Sequence, residues 1–377
     1  MPRIALNGRL LVPDRMEGIG KFSLRCYREL VQRRPNDSFL LIVDRPKHER
    51  FNLGPNVKVI RHPIPGRRPW LLNMWFGWPM TLMLKLWRAD ALVSLEGPVA
   101  TKMPEDFRQF SVIHDLNFEH QPQWLPPSWA AYYRSEFPRY ARLASLLGTV
   151  SEFSKADLVK SYRLQPERIV VIPNAADPVF APLEGERKTE GRKLFSDGRP
   201  YLVFVGSMHE RKNLQGLLMA FEHYVSEGGQ WDLVLVGAAM WKNLMPAKEL
   251  SEALVNRVHA PGRLNHSALA MAVASAEGMV FVPWFEGFGI PIVEAMASGL
   301  PVIASNVTSL PEVSGGAAYA LVNPNEPMEI GQALLQLEQD DEGRRQSIAR
   351  GLERAKDFSW ANSGELLNRA VDQMLSH

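Results

Sequence analysis

The sequence predicts an α/β protein built from two doubly wound, Rossmann-like domains. Three observations carry that expectation. The chain has 377 residues, more than one core usually supports. Short apolar runs alternate with helical patterns along its length, the signature of parallel sheets covered by helices on both faces. A charged stretch without apolar period, Ala181 to Pro200, divides that alternation into two series.

In the first series the expected strands are RIALNGRLLV, FLLIVD, VKVIRHPI, ALVSL, FSVIHDL, LLGTVS and RIVVIP. Helical patterns such as GKFSLRCYRELVQRR and SWAAYYRSEFPRYARLA lie between them. The stretch from Ala181 to Pro200 reads as a connection with about one helical turn. The second series runs YLVFVGS, WDLVLVGA, GMVFVPW, PVIAS and AYALVNP, and FSWANSGELLNRAVDQML adds a last amphipathic helix capped near Ser359. The expected domains are residues 1–182 and 183–358, with the terminal helix over 359–377. In such sheets ligands bind beyond the carboxyl ends of the strands, so the cleft between the domains is the expected site.

Composition excludes several classes. Apolar residues make up 46% and charged residues 22%, the balance of a soluble globular protein. A net charge of +2 argues against a nucleic-acid partner held by an extended basic surface. Cys26 is the only cysteine, so no intrachain disulfide and no multi-cysteine zinc site is encoded, and the cytoplasm is the expected compartment. The N-terminus shows no basic-then-apolar leader. The most membrane-like run, Trp70 to Trp87, is broken by Asn73, Pro79 and Lys85 and makes a poor span. No Asp-x-Asp or His-Glu-x-x-His occurs, so neither a catalytic metal nor another cofactor is expected.

Candidate chemistry lies at the ends of expected strands. VGSMHERKNL, Val205 to Leu214, follows one strand and precedes a helix, which places Arg211 and Lys212 near a helix N-terminus that favours an anion. A diphosphate suits that position; a solvated charge pair is the alternative. WFEGFGIPIVEAMAS carries Glu286 at a strand end and Glu294 one turn into a helix, with a Gly-Phe-Gly turn between them. That turn makes adjacent acid/base catalysis an unnatural reading, and two grips on one extended ligand a better one. The alternative is a helix-capping Glu294 and a solvated Glu286. Gly18 and Gly20, before a helix, are weak evidence for phosphate binding. Ser151, Glu152 and Ser154 read as helix caps.

Taken together, EGFGIPIVEAMASGLPVIAS with the following LPEV resembles the glutamate-x7-glutamate signature of retaining glycosyltransferases of family 4, which have the two-domain GT-B fold. VGSMHERKN, TVSEFSKADLVKSYRLQPERIVVIPNAAD and VIHDLNFEHQP resemble three further segments of that family, in the same order. The resemblance implies that Glu294 binds ribose hydroxyls and Glu286 faces the donor sugar. Arg211 and Lys212 would hold the diphosphate, helped by Gly206 and by backbone N–H groups of Gly287, Phe288, Gly289 and Ile290. His114 would reach the reacting sugar, Gly18 and Gly20 would approach donor phosphate or acceptor, and the loops near Val236-Gly237 and Arg263-Leu264 would contact the base. Asp115 would orient its loop. Where many of the family have Pro-Asn-Gly, this chain has Pro173, Asn174 and Ala175, and alanine tolerates a left-handed turn less readily. The terminal helix would cross back to the first domain.

The implied activity is a metal-independent, retaining transfer of a hexose from a nucleotide sugar to a glycan or lipid-linked acceptor in polysaccharide or lipopolysaccharide biosynthesis. The donor leaning is to GDP-mannose, with UDP-glucose, UDP-N-acetylglucosamine and dTDP-rhamnose open. A same-fold hydrolase or epimerase and a non-catalytic nucleotide-sugar-binding protein are the alternatives. A Rossmann oxidoreductase lacks its G-x-G-x-x-G here. The Trp- and Arg-rich segment Arg67 to Arg88 has two readings: a core helix with its loop, or a surface for the inner face of the cytoplasmic membrane or a lipid-linked acceptor.

Overall fold

The computed structural model describes all residues except 13–15, 17, 45–51, 239–250 and 377, together with the side chains of 252 and 253. Glu17 of the glycine loop therefore lies outside the described residues. The chain forms two units, Met1–Asn174 with Trp360–His377, and Ala175–Ser359. The expected boundaries were at 182 and 358.

Unit 1 contains β1 (Arg3–Gly8), α1 (Gly18–Arg33), β2 (Ser38–Val43), β3 (Val57–Arg61), α2 (Pro69–Trp75), α3 (Trp78–Trp87), β4 (Ala91–Ser94) and β5 (Arg108–Val112). It continues with α4 (Asn117–His120), α5 (Pro127–Leu143), β6 (Leu146–Thr149), α6 (Glu152–Tyr162) and β7 (Ile169–Val171). All its strand pairs are parallel, in the order β3-β2-β1-β4-β5-β6-β7. The near-continuous apolar strands follow from this: β1, β2, β4 and β6 are almost wholly buried, as strands covered on both faces must be.

Unit 2 contains α7 (Gly185–Ser196), β8 (Tyr201–Val205), α8 (Leu214–Ser226), β9 (Asp232–Val236), α9 (Glu252–Val255), β10 (Val258–Gly262), α10 (His266–Ala274) and β11 (Gly278–Phe281). Then come α11 (Ile290–Ala297), β12 (Val302–Ser305), α12 (Leu310–Ser314), β13 (Ala320–Val322), α13 (Pro327–Gln339) and α14 (Asp341–Ala355). Its sheet, β10-β9-β8-β11-β12-β13, is also parallel throughout. The final helix α15 (Trp360–Ser376) packs on α1 and belongs to unit 1; Gly364 makes this possible, since a Cβ there would lie 2.2 Å from Glu29 Cβ.

Two expectations are corrected. The stretch 181–200 holds the twelve-residue helix α7, where about one turn was expected. Only Gly191, Phe195 and Ser196 are buried on it, too few for an apolar period to show. Its docking depends on Gly191, where a Cβ would fall 2.0 Å from Ser275 Oγ. Strand β10 was not expected at all: it is an edge strand with no fully buried residue, and its His-Ala-Pro-Gly sequence lacks the apolar run of the central strands.

Each sheet reverses its strand order once, between β1 and β4 in unit 1 and between β8 and β11 in unit 2. Such a switch leaves a crevice at the carboxyl edge, because the connections on its two sides run away from each other.

Candidate functional site

In unit 2 the residues singled out from sequence converge on the β8/β11 switch. After β8 the chain makes one 3₁₀ turn, Glu210–Lys212, capped by His209, whose Nδ1 accepts from the Arg211 amide at 3.2 Å. Asn213 follows in the left-handed conformation with φ 56°. Its side-chain amide donates to the carbonyls of Val282 at 3.1 Å and Pro324 at 2.7 Å, which tethers the turn to the loops after β11 and β13. Asparagine is one of the few residues that adopt this backbone readily, so geometry and tether use the same side chain.

The turn faces the loop after β11. Arg211 Nη1 donates to Glu286 Oε1 at 2.7 Å and to the Phe285 carbonyl at 3.0 Å. Lys212 Nζ donates to the same Oε1 and lies 4.8 Å from the centre of the Phe281 ring. Glu286 is fixed from behind: Thr308 Oγ1 accepts from its amide at 3.3 Å, and Ser309 Oγ donates to its carbonyl at 2.9 Å. Burial alone would push the Glu286 carboxyl up, but the charges of Arg211 and Lys212 outweigh it and hold the group below the usual range. Two cations meet on one oxygen of this carboxylate.

Glu294 stands in α11 and is also buried, at 6% exposure. Gly289 separates it from Glu286. That glycine starts the helix with φ 95°, and a Cβ there would fall 2.5 Å from Leu310 Cδ2, so both backbone and space demand glycine. Phe288 is buried edge-on against Phe358, with ring centres 5.4 Å apart. Gly287 and Phe288 therefore complete the turn, and Ile290 begins the helix with Pro291 behind it. Gly206, just after β8, donates its amide to the Val236 carbonyl at 2.9 Å. Close approach is the rule here: a Cβ on Gly237 would lie 1.7 Å from the Gly206 oxygen. Arg263, exposed, and Leu264, half-buried, follow β10 at the same carboxyl edge of the sheet.

In unit 1, His114 follows β5. A carbonyl can only accept, so the 2.9 Å contact between His114 Nε2 and the Leu95 oxygen places the ring proton on Nε2 and leaves Nδ1 as an acceptor. Burial lowers the pKa of this histidine, and Phe22 packs edge-on against the ring at 4.9 Å between centres. Asp115 orients its loop, accepting from the Asn117 amide at 3.0 Å. Ser151 caps α6 by accepting from the Ser154 amide at 3.1 Å. Gly18 is exposed in the first turn of α1, whereas Gly20 has a packing reason: a Cβ there would fall 2.8 Å from the Leu10 oxygen. The Pro-Asn-Ala segment needs no left-handed turn, since neither Asn174 nor Ala175 has positive φ.

Sequence reading missed Asn213, Thr308 and Ser309, which lie within or beside segments that it quoted. It also missed the pair at the β1/β4 switch. Arg9, after β1, grips Glu96, after β4, through both Nε, at 3.1 Å to Oε1, and Nη2 to Oε2. Asn7 Nδ2 donates to Glu96 Oε1 at 2.5 Å and Ser94 Oγ at 2.9 Å, and Arg9 Nη1 donates to the Gly66 carbonyl at 3.1 Å. No local pattern marks this pair, because its members are 87 residues apart. Among the described residues no group of three or more His, Cys, Asp or Glu could hold a metal ion.

Comparison with known proteins agrees with this geometry. Residues 16–180 match the sequence profile Glycosyltransferase Family 4, and residues 199–340 match Glycosyl transferases group 1. The O-antigen chain mannosyltransferase B of Escherichia coli is 32% identical over 263 residues, covering 68% of each chain. The serotype-specific mannosyltransferase WbdA of the same organism is 25% identical over 272 residues, 70% of this chain but only 33% of that longer protein. A sucrose-phosphate synthase from Thermosynechococcus elongatus superposes over 100% of both chains with a TM-score of 0.80 at 19% identity, which identifies the architecture as GT-B.

Proposed function

The chain belongs to glycosyltransferase family 4, and from that premise we propose that it transfers mannose from GDP-mannose, with retention and without a metal, to a glycan or lipid-linked acceptor. The product would belong to an O-antigen-like polysaccharide made in the cytoplasm. The mannose assignment draws on the two mannosyltransferase relatives. The observation that carries the chemistry is the convergence of Arg211 and Lys212 on Glu286 at the switch point of unit 2.

As the bond between the anomeric carbon and the diphosphate oxygen breaks, negative charge grows on the leaving group. Arg211 and Lys212 would turn from Glu286 to that diphosphate and neutralise it, the role a metal would otherwise fill. Backbone N–H groups at the start of α11 add their partial charge, with Gly206 and Gly237 letting the backbone approach closely. The acceptor oxygen forms its bond on the face the diphosphate leaves, and its proton passes to a phosphate oxygen. Glu286, relieved of its cations, would accept from sugar hydroxyls, Glu294 would hold the ribose, and Arg263 with Leu264 would flank the base. In unit 1, neutral His114 offers Nδ1 to a sugar hydroxyl, and the acceptor is assigned to the carboxyl edge of that sheet, near Gly18 and Gly20.

Thermal unfolding with GDP, UDP or dTDP, each with and without EDTA, tests donor and metal together. GDP should raise the midpoint most, and EDTA should leave that shift unchanged, because binding to the folded state stabilises it by mass action. Stabilisation by UDP alone would remove the mannose assignment. Loss of the GDP shift in EDTA would remove metal independence.

A further inference from the structure

The segment with two readings resolves into two helices with two unlike faces. Its inner face is core: Leu72, Trp75, Phe76, Met80 and Leu84 are fully buried, and Trp75 stacks on His62 with ring centres 3.8 Å apart. The outer face is not. Trp70 is 57% exposed, Trp78 67%, Leu82 58% and Leu86 77%, and Met74 is exposed beside them. These residues recur every four positions, so Trp70 and Met74 form one stripe on α2, and Trp78, Leu82 and Leu86 form another on α3. Gly77 makes the corner between the helices, since a Cβ there would sit 2.9 Å from the Asn73 oxygen.

The charge within the segment itself has one sign. Arg61, Arg67, Arg68, Lys85 and Arg88 are all exposed, and no Asp or Glu occurs from Arg61 to Ala89, in a chain whose net charge is only +2. Arg67 Nε lies 3.6 Å from the buried carboxylate of Asp44. Beside Trp78 a hollow of about 490 Å³ is rimmed by Met74, Lys102, Arg139 and Glu136. No helix among the described residues is long and apolar enough to cross a membrane.

We propose that the outer face of the α2–α3 hairpin docks on an anionic lipid bilayer. Indole rings partition to the headgroup level, where their apolar bodies and polar N–H are both satisfied. Leu82, Leu86 and Met74 enter the acyl boundary, and the arginines and lysine meet lipid phosphates, their stems lying along the surface. The inference stands apart from the donor assignment, because binding to lipid needs no transfer.

The experiment is co-sedimentation of the full chain with vesicles of phosphatidylglycerol and phosphatidylcholine, against vesicles of phosphatidylcholine alone. The protein should sediment with the anionic vesicles at low salt and release as salt rises toward about 1 M. Trp70→Ser with Trp78→Ser should lower the bound fraction at least about tenfold while the thermal midpoint stays within a few degrees, since both side chains are outside the core. Arg67→Ser with Arg68→Ser supplies an independent variant that keeps every apolar residue and should lose binding to the anionic vesicles. No wild-type binding, equal binding to neutral vesicles, or wild-type binding by both variants would overturn the proposal. So would a concentration-dependent dimer abolished by the tryptophan substitutions, which would assign the face to a second copy of the chain.

Discussion

The two units place an ion pair at the same topological position and use it differently. In unit 1 a single cation, Arg9, meets Glu96 with two parallel bonds, and Asn7 and the Gly66 carbonyl satisfy what is left. In unit 2 two cations converge on one oxygen of Glu286. The first arrangement holds its carboxylate through both oxygens; the second holds it through one. Position at a switch point therefore does not define function. The number of carboxylate oxygens engaged separates the closed pair of unit 1 from the pair that, on the proposed function, exchanges its carboxylate for an anionic ligand.

The largest expected effect tests the exchangeable pair. Arg211→Ala combined with Lys212→Ala should lower kcat/KM at least about 100-fold, measured by release of nucleoside diphosphate, because the proposed function loses two charged donors to the leaving group. Near wild-type transfer would break the comparison at its functional end. Next comes the locked pair: Glu96→Gln leaves the Arg9 guanidinium buried without its counter-charge and should cost on the order of 3 kcal/mol in urea unfolding. The shift that a nucleoside diphosphate produces in thermal unfolding should survive that change, as the proposed donor site lies in unit 2. A stable Glu96→Gln protein that no longer transfers would move unit 1's pair into the functional class.

The smallest effect concerns pH. Glu286 has a folded pKa below its usual value of 4.5, so its contribution to stability is complete above about 4.5 and is lost as pH falls through the lower folded value. Relative to Glu286→Gln, the wild-type protein should lose stability as the pH falls below about 4.5 and keep a constant advantage above about pH 5. An unchanged difference between the two proteins down through that window would show that the carboxylate is not paired as the geometry has it.

Local signals were enough for much of this. The apolar strands of both sheets, the Gly-Phe-Gly turn and the position of Arg211 and Lys212 before a helix can be read from short segments, because strand burial and helix entry are written in neighbouring residues. The exposed edge strand β10 and the polar helix α7 could not be read, because their order comes from pairing and docking rather than from their own apolar content. Asn213 shows the limit most clearly: its segment is legible, but its amide is useful only because folding brings the carbonyls of Val282 and Pro324 to it.

The sequence by itself determined the fold class, the family and the residue types available for chemistry, since each rests on periodicity or contiguous segments. Only the tertiary structure decided that Arg211 and Lys212 share Glu286, that Arg9 and Glu96 form a separate closed pair, and that the tryptophans of the α2–α3 hairpin divide between core and surface. Those facts depend on contacts between residues tens of positions apart, and on which side of a helix meets the sheet; neither is set until the chain has packed.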